Sequence, residues 1–388
     1  MSTTTATGKV SQITAKRIHF TAFQALWIPG TTRICSLGSN DGGFGVIQVH
    51  ALSSASAAPL SAKSTSPSSS TTTTTTSSSD TATTPLRSPK LTIQSETEKK
   101  IQFKSGTFRA SARSSSLPHL LTGDFEGRVG LWDLSRTEVP LSMFKAHEDV
   151  VNCIDGAGSV TGRPEFVTGG HDGIVKLWDM RQNHKEDVGG APSPISNMSP
   201  KRGHGGNDVW CIAMGGSGSG SGSDDLMVAI GYDNGDVRVM DIRLRQAVFE
   251  TNVKHGVCAV EFDRREGKAG SLVATTVEGT LHSFDLVNGQ FATSNSTTEE
   301  VIAVQSGDDS TLWQARHIPQ RPDIFAVTDG GGNIHMYKHG DEKTLTTSLG
   351  SHRIASQGML SLEFNEDLEG LYVGCDLDNT LRVGMIHL

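Results

Sequence analysis

The stretch LLTGDFEGRVGLWDL (residues 120–134) returns as FVTGGHDGIVKLWDM (166–180), and this recurrence decides the fold. Each copy is an apolar run, a Gly/Asp-containing turn, and a second run that alternates between large apolar and small or polar residues. Alternation with period two around a tight turn is the pattern of a β-hairpin. Weaker copies follow at VAIGYDNGDVRVMDI (228–242), VATTVEGTLHSFDL (273–286), AVTDGGGNIHMYKH (326–339) and YVGCDLDNTLRVGM (372–385). A degenerate first copy is CSLGSNDGGFGVIQVH (35–50). The position held by Trp132 and Trp178 continues at Met240, Phe284, Tyr337 and Gly384, with Val49 in the first copy.

Upstream of the hairpins lie short apolar segments: FQALWI, VNCIDG, VWCIAM, GVCAVEF, LWQARHI and MLSLEF. Aligned, they place Ala25, Cys153, Cys211, Cys258, Gln314 and Ser361 at one inner-strand position, which makes those three cysteines core residues. A four-stranded propeller blade takes about 40–45 residues, so longer steps between copies imply insertions. The expectation is an all-β, seven-bladed propeller over 12–388. QITAKRIHF (12–20) alternates without a hairpin of its own, and should supply the outer strand that the last repeat lacks. The ring is then closed by its N- and C-terminal strands, which removes a sheet edge.

Residues 53–90 hold 23 Ser or Thr in 38 positions, too little apolar surface to offset the entropy of ordering them. This insertion is expected to be disordered, and GGSGSGSGS (215–223) to be a flexible loop. Further insertions are expected at about 182–206 and 288–309.

The chain has 34 basic and 42 acidic side chains, a formal charge of −8, with no compensating basic stripe. That argues against nucleic acid as the main partner, and for at least one basic partner surface held by a salt-sensitive contact. No apolar run approaches the roughly 20 residues needed to span a bilayer, and residues 1–10 lack the apolar core of a signal peptide. Five cysteines without a CxxC pair imply a reducing compartment rather than a disulfide framework. The His residues carry no metal-ligand spacing. DGGGN (329–333) precedes a strand, so it reads as a tight turn and not as a phosphate cradle at a helix N-terminus. No catalytic residue, metal or cofactor is expected.

The best-formed repeat carries His147, Thr168, Asp172 and Trp178. This resembles the WD40 family, in which such a set is hydrogen-bonded within one blade. The physics fits, since a buried indole N–H needs an acceptor and a carboxylate can orient an imidazole. The competing reading, a Ser/Thr-His-Asp nucleophile, requires a free hydroxyl. At the turn-Asp position the other copies have Glu126, Asn234, Glu278 and Gly331, with Asp378 in the last. The WDMR string ending at Arg181 resembles the WDxR box with which some WD40 proteins engage the adaptor of cullin-4 ubiquitin ligases. The string is common in propellers that never meet a ligase, because a charged residue after the strand is simply solvated. Trp210 and Trp313 share one position immediately before the small inner-strand residue. Each is either a protein-binding anchor on the propeller face or a wedge between blades.

Beyond the generic repeat, GVIQV, GYDNGDVRVMDIR, ETNVKHGVCAVEFDRR and STLWQARHIPQRPDIF follow in an order that resembles the Monad-type WD40 proteins, which are dynein axonemal assembly factors. His255 and the two low-complexity insertions depart from that pattern. The resemblance implies a non-enzymatic cytoplasmic scaffold, monomeric within a larger assembly. Its implied partners are a co-chaperone complex of RuvB-like ATPases and prefoldin-like subunits, with axonemal dynein heavy chains as clients.

Overall fold

A computed structural model describes residues 8–53, 89–110, 118–156, 165–180, 193–198, 207–216, 226–263, 271–287, 290–291, 299–304, 311–340 and 346–388. The strands form seven sheets arranged as successive blades, and no α-helix occurs among the described residues. Blade 1 runs from its inner strand Thr21–Trp27 through Arg33–Ser39 and Gly45–Ser53 to the outer strand Lys90–Lys99. Blade 2 is Phe103–Thr107, Leu120–Asp124, Arg128–Trp132 and Ser142–Lys145. Blade 3 is Val151–Gly156, Glu165–Gly170, Val175–Asp179 and Ser196–Met198. Blade 4 is Val209–Gly216, Leu226–Tyr232, Asp236–Asp241 and Gln246–Asn252. Blade 5 is Val257–Phe262, Ser271–Thr276, Thr280–Val287 and Glu299–Ala303, with Gln290–Phe291 as an extra short strand. Blade 6 is Leu312–Ile318, Arg321–Asp329, Asn333–His339 and Thr346–Arg353.

Blade 7 takes three strands from the end of the chain, Met359–Phe364, Leu371–Asp376 and Thr380–His387. Its outer strand is Lys9–Arg17, antiparallel to the last strand from Lys9 opposite His387 to Arg17 opposite Thr380. The expected closure is therefore present, shifted by three residues from 12–20. Ile18 and Phe20 leave the strand because they are buried in the seam between blades 1 and 7. Gly8 also ties the closing strand to blade 6, donating to the Leu349 carbonyl at 3.1 Å.

The core is seven clusters, one at each seam between neighbouring blades. Phe103 and Trp132 meet edge-to-face, 5.8 Å between centroids, in the cluster joining blades 1 and 2. Trp178 stacks on Phe166 and tilts against Phe144 in the cluster joining blades 2 and 3. In blade 7 Gly384 leaves the Trp position without a side chain, and Tyr372 fills the space: a Cβ on Gly384 would lie 2.3 Å from its hydroxyl.

Several boundaries differ from expectation. The Ser/Thr-rich segment falls between two strands, the third and the outer strand of blade 1. Its ends are ordered, with Ser53 opposite Lys90, while 54–88 lies outside the described residues. Gly215 and Gly216 belong to the inner strand of blade 4, and the rest of the Gly/Ser segment lies outside the described residues. The polar stretches expected to be plain insertions each supply an outer strand, Ser196–Met198 and Glu299–Ala303.

Deleting residues 1–17 exposes the outer edge of Thr380–His387 and leaves blade 7 with three strands. The expected loss is several kcal/mol, roughly 10 °C of Tm at about 2–4 °C per kcal/mol for a large domain. A truncated chain that melts with the full-length protein would show that the strand pairing of Lys9–Arg17 is incidental.

Candidate binding site at the channel mouth

In blade 3 the four residues picked from sequence come together. The Trp178 indole N–H donates to Thr168 Oγ1 at 2.9 Å, and Thr168 Oγ1 lies 2.7 Å from His147 Nε2. His147 Nδ1 sits 2.9 Å from Asp172. One set of roles satisfies all three contacts: Thr168 donates to Nε2, and Nδ1–H donates to the carboxylate. Burial works against ionisation of Asp172, but the hydrogen bonds from His147 and from the turn amides hold its carboxyl below the usual range. The Thr168 hydroxyl is fully buried and engaged on both sides, so it is a blade strut and not a nucleophile.

Other blades use variants that the sequence reading missed. In blade 1 the Trp position is His50, not Val49, and Ser36 takes the place of Thr168, with 3.2 Å from Ser36 Oγ to His50 Nε2. Burial, and secondarily the charge of Lys16, push the His50 pKa down to about 4. Blades 2, 6 and 7 place a buried Asp two residues before the expected turn carboxylate: Asp124, Asp329 and Asp376. Each accepts from turn amides and from a neighbouring base, as Asp376 does from Thr380 N at 3.0 Å and Arg382 Nε at 2.7 Å. The visible signal was an Asp closing the second strand in these three copies.

All seven inner strands carry a β-bulge near their first residue, at the end of the ring that also carries the Asp turns. The unpaired residues are Phe23, Lys104, Asn152, Trp210, Cys258, Trp313 and Leu360. A bulge re-aims a side chain, and all seven line one cavity of about 430 Å³ at the ring's centre. The register also corrects the alignment: Gln24 and Ala259, not Ala25 and Cys258, share the position of Cys153 and Cys211. Cys258 is a channel residue, and burial pushes its thiol up to about 12, which keeps it protonated.

Trp210 and Trp313 occupy the same bulge and lean the same way. Each indole lies against the glycine that precedes the next blade's inner strand: a Cβ on Gly256 would come within 2.7 Å of Trp210, and one on Gly358 within 3.3 Å of Trp313 Nε1. Both are thus wedges. Trp210 is in addition 39% exposed, whereas Trp313 is half-buried with its Nε1 shut off from solvent and lacking an acceptor among the described residues. Arg181 lies outside the described residues.

Deeper in the channel two arginines meet three carboxylates from different blades. Arg109 contacts Glu363 at 3.0 Å and Asp155 at 3.6 Å, while Arg316 reaches Glu261 and Glu363 at 3.2 Å each. Burial opposes the Arg109 charge, but Glu363, Asp155 and Glu261 more than offset it and hold the guanidinium firmly protonated. Among the described residues one group could offer three metal ligands within 4.8 Å of one another, His19, Glu96 and Glu98, all exposed on the outer part of blade 1.

A family model described as "WD domain, G-beta repeat" matches residues 138–179, the stretch that holds the complete His147–Trp178 network. Proteins named dynein axonemal assembly factor 10 from Xenopus laevis and Homo sapiens are each 31% identical over 386 positions, covering 95% of this chain and 93% and 94% of theirs. The Chlamydomonas reinhardtii protein of that name is 31% identical over 96% of this chain and 94% of its own length. The chain belongs to the dynein axonemal assembly factor 10 family. The similarity to these relatives extends over most of the chain's length.

The His50 position yields a pH signature. Its folded pKa lies below the unfolded value, so between about 6.5 and about 4 the unfolded chain binds the extra proton and stability falls as pH falls. His50→Gln keeps a hydrogen-bonding group near Ser36 without titrating there. Denaturant melts should show a shallower loss of stability from pH 6.5 to 4 in the variant, by on the order of 2 kcal/mol. Parallel slopes would show that His50 does not titrate differently on folding.

Proposed function

We propose that this chain is a non-enzymatic scaffold that promotes assembly of axonemal dynein arms. The carrying observation is kinship over 95% of the chain with relatives whose name states that role. The site chemistry supports a binding protein: the Thr168–His147–Asp172 set is tied up inside a blade, and the cavity at the channel mouth is lined in part by Phe23, Trp210 and Trp313. Surfaces of this kind, with a large aromatic at the centre of a concavity, carry most of the energy in protein interfaces. In this reading the ring acts in the cytoplasm. It holds a dynein heavy chain at one surface and a co-chaperone complex of RuvB-like ATPases and prefoldin-like subunits at another.

Removal of the gene from a ciliated cell should leave axonemes short of dynein arms, with cytoplasmic heavy chains reduced and bulk ubiquitylation unchanged. Electron microscopy of axoneme cross-sections and quantitative blotting read this out. Normal arms in the null cell would sink the assembly role. Co-purification of cullin-4 and its adaptor in place of RuvB-like ATPases would transfer the function to the Arg181 motif.

A further inference from the structure

His19, Glu96 and Glu98 form a group that the scaffold reading does not use. Each offers a ligand atom, and the three atoms lie within 4.8 Å of one another. His19 Nε2 is 3.6 Å from Glu96 Oε1. Ligands about 2.0–2.2 Å from a tetrahedral Zn²⁺ stand roughly 3.4 Å apart, so this pair is already near a coordinating separation. The backbone holds all three residues in place. His19 lies between Ile18 and Phe20, which are buried in the seam of blades 1 and 7, and Ile18 N donates to the Asn379 carbonyl at 2.8 Å. Glu96 and Glu98 stand opposite Gln48 and Val46, on one face of blade 1. Asn40 Nδ2 donates to Glu98 Oε1 at 3.2 Å, and the Gln48 amide donates to Glu96 Oε2, which leaves Glu96 Oε1 on the His19 side. Hydrogen bonds of this kind orient the carboxylates of metal sites.

Two further observations point to a cation. Gln48 is fully buried, its amide end reaches the group at Glu96, and its Oε1 has no donor among the described residues. A buried acceptor left without a partner is costly, and a bound cation satisfies it. No Lys or Arg among the described residues lies within ion-pair distance of Glu96 or Glu98, whose nearest basic group is the His19 imidazole.

We propose that His19, Glu96 and Glu98 bind a divalent transition-metal ion of the Zn²⁺ type, with Gln48 Oε1 as the fourth ligand. An imidazole beside two carboxylates favours Zn²⁺ and its neighbours over Mg²⁺ and Ca²⁺, which take oxygen ligands. The ion ties the end of the closing strand to the outer strand of blade 1, and so clasps the ring at the seam where its first and last blades meet. The site is independent of the scaffold reading.

The full chain, freed of metal with a chelator and desalted, is titrated with ZnCl₂ by isothermal titration calorimetry, beside His19→Ala, Glu96→Gln/Glu98→Gln and Gln48→Leu. Melts in EDTA confirm that the variants fold, as expected for His19 and the two glutamates, which are exposed. The wild-type chain should bind one Zn²⁺ more than His19→Ala or the Glu variant, and Gln48→Leu should bind it roughly tenfold more weakly. Zn²⁺ at a hundredfold excess over Kd should raise the wild-type Tm by roughly 5 °C and leave that of His19→Ala unchanged. Co²⁺ in place of Zn²⁺ should give the visible absorption of a tetrahedral site in the wild type alone. Wild-type stoichiometry and affinity in any of the three variants would overturn the site, as would an equal response to Mg²⁺ or Ca²⁺.

Discussion

A four-stranded blade in this chain cannot bury its faces alone, and everything else depends on the seam it makes with its neighbour. Each of the seven apolar clusters draws its side chains from two adjacent blades, so no blade is complete without the next. The seam between blades 1 and 7 joins residues more than three hundred positions apart, such as Phe20 and Val383, and nothing local can form it. Pairing Lys9–Arg17 with the last strand holds that seam shut.

Closure also explains the channel. Seven inner strands converge at the centre, where their side chains cannot all point inward without clashing. A bulge at the same place in every strand turns one residue per blade into the mouth. Below that ring, Glu363 from blade 7 ties together Arg109, just past the inner strand of blade 2, and Arg316 from blade 6. A buried ion network of this kind adds little net stability, but removing any one member leaves an unpaired buried charge. At the mouth, Trp210 is held as a wedge against Gly256 while 39% of it stays exposed.

The hairpins, the blade count and the closing strand were legible in the sequence because period-two alternation and Gly/Asp turns are local signals. So was the His147–Trp178 set, where all four residue types are present. The outer strands Lys90–Lys99, Ser196–Met198 and Glu299–Ala303 were hidden, since an outer strand is solvated on most of its surface and needs no apolar pattern. The inner strand Phe103–Thr107 was hidden for a different reason: FKSGT carries one large apolar residue, and its neighbours supply the rest of the packing. With it went Lys104. The bulges were invisible as well, because a one-residue slip in pairing leaves composition unchanged. Because every strand carries the bulge at the same place, the one-position offset at Ala25 and Cys258 comes from matching short apolar runs whose starts differ, while Trp210 and Trp313 are correctly matched.

Under the proposed scaffold role, the aromatic channel mouth is the candidate capturing surface. Replacing the resident gene of a ciliated cell with Trp210→Ala/Trp313→Ala, and counting dynein arms per axoneme cross-section, tests this most directly. The account predicts a ring present at normal abundance and axonemes depleted of arms. A full complement of arms in cells that contain the folded variant would contradict it.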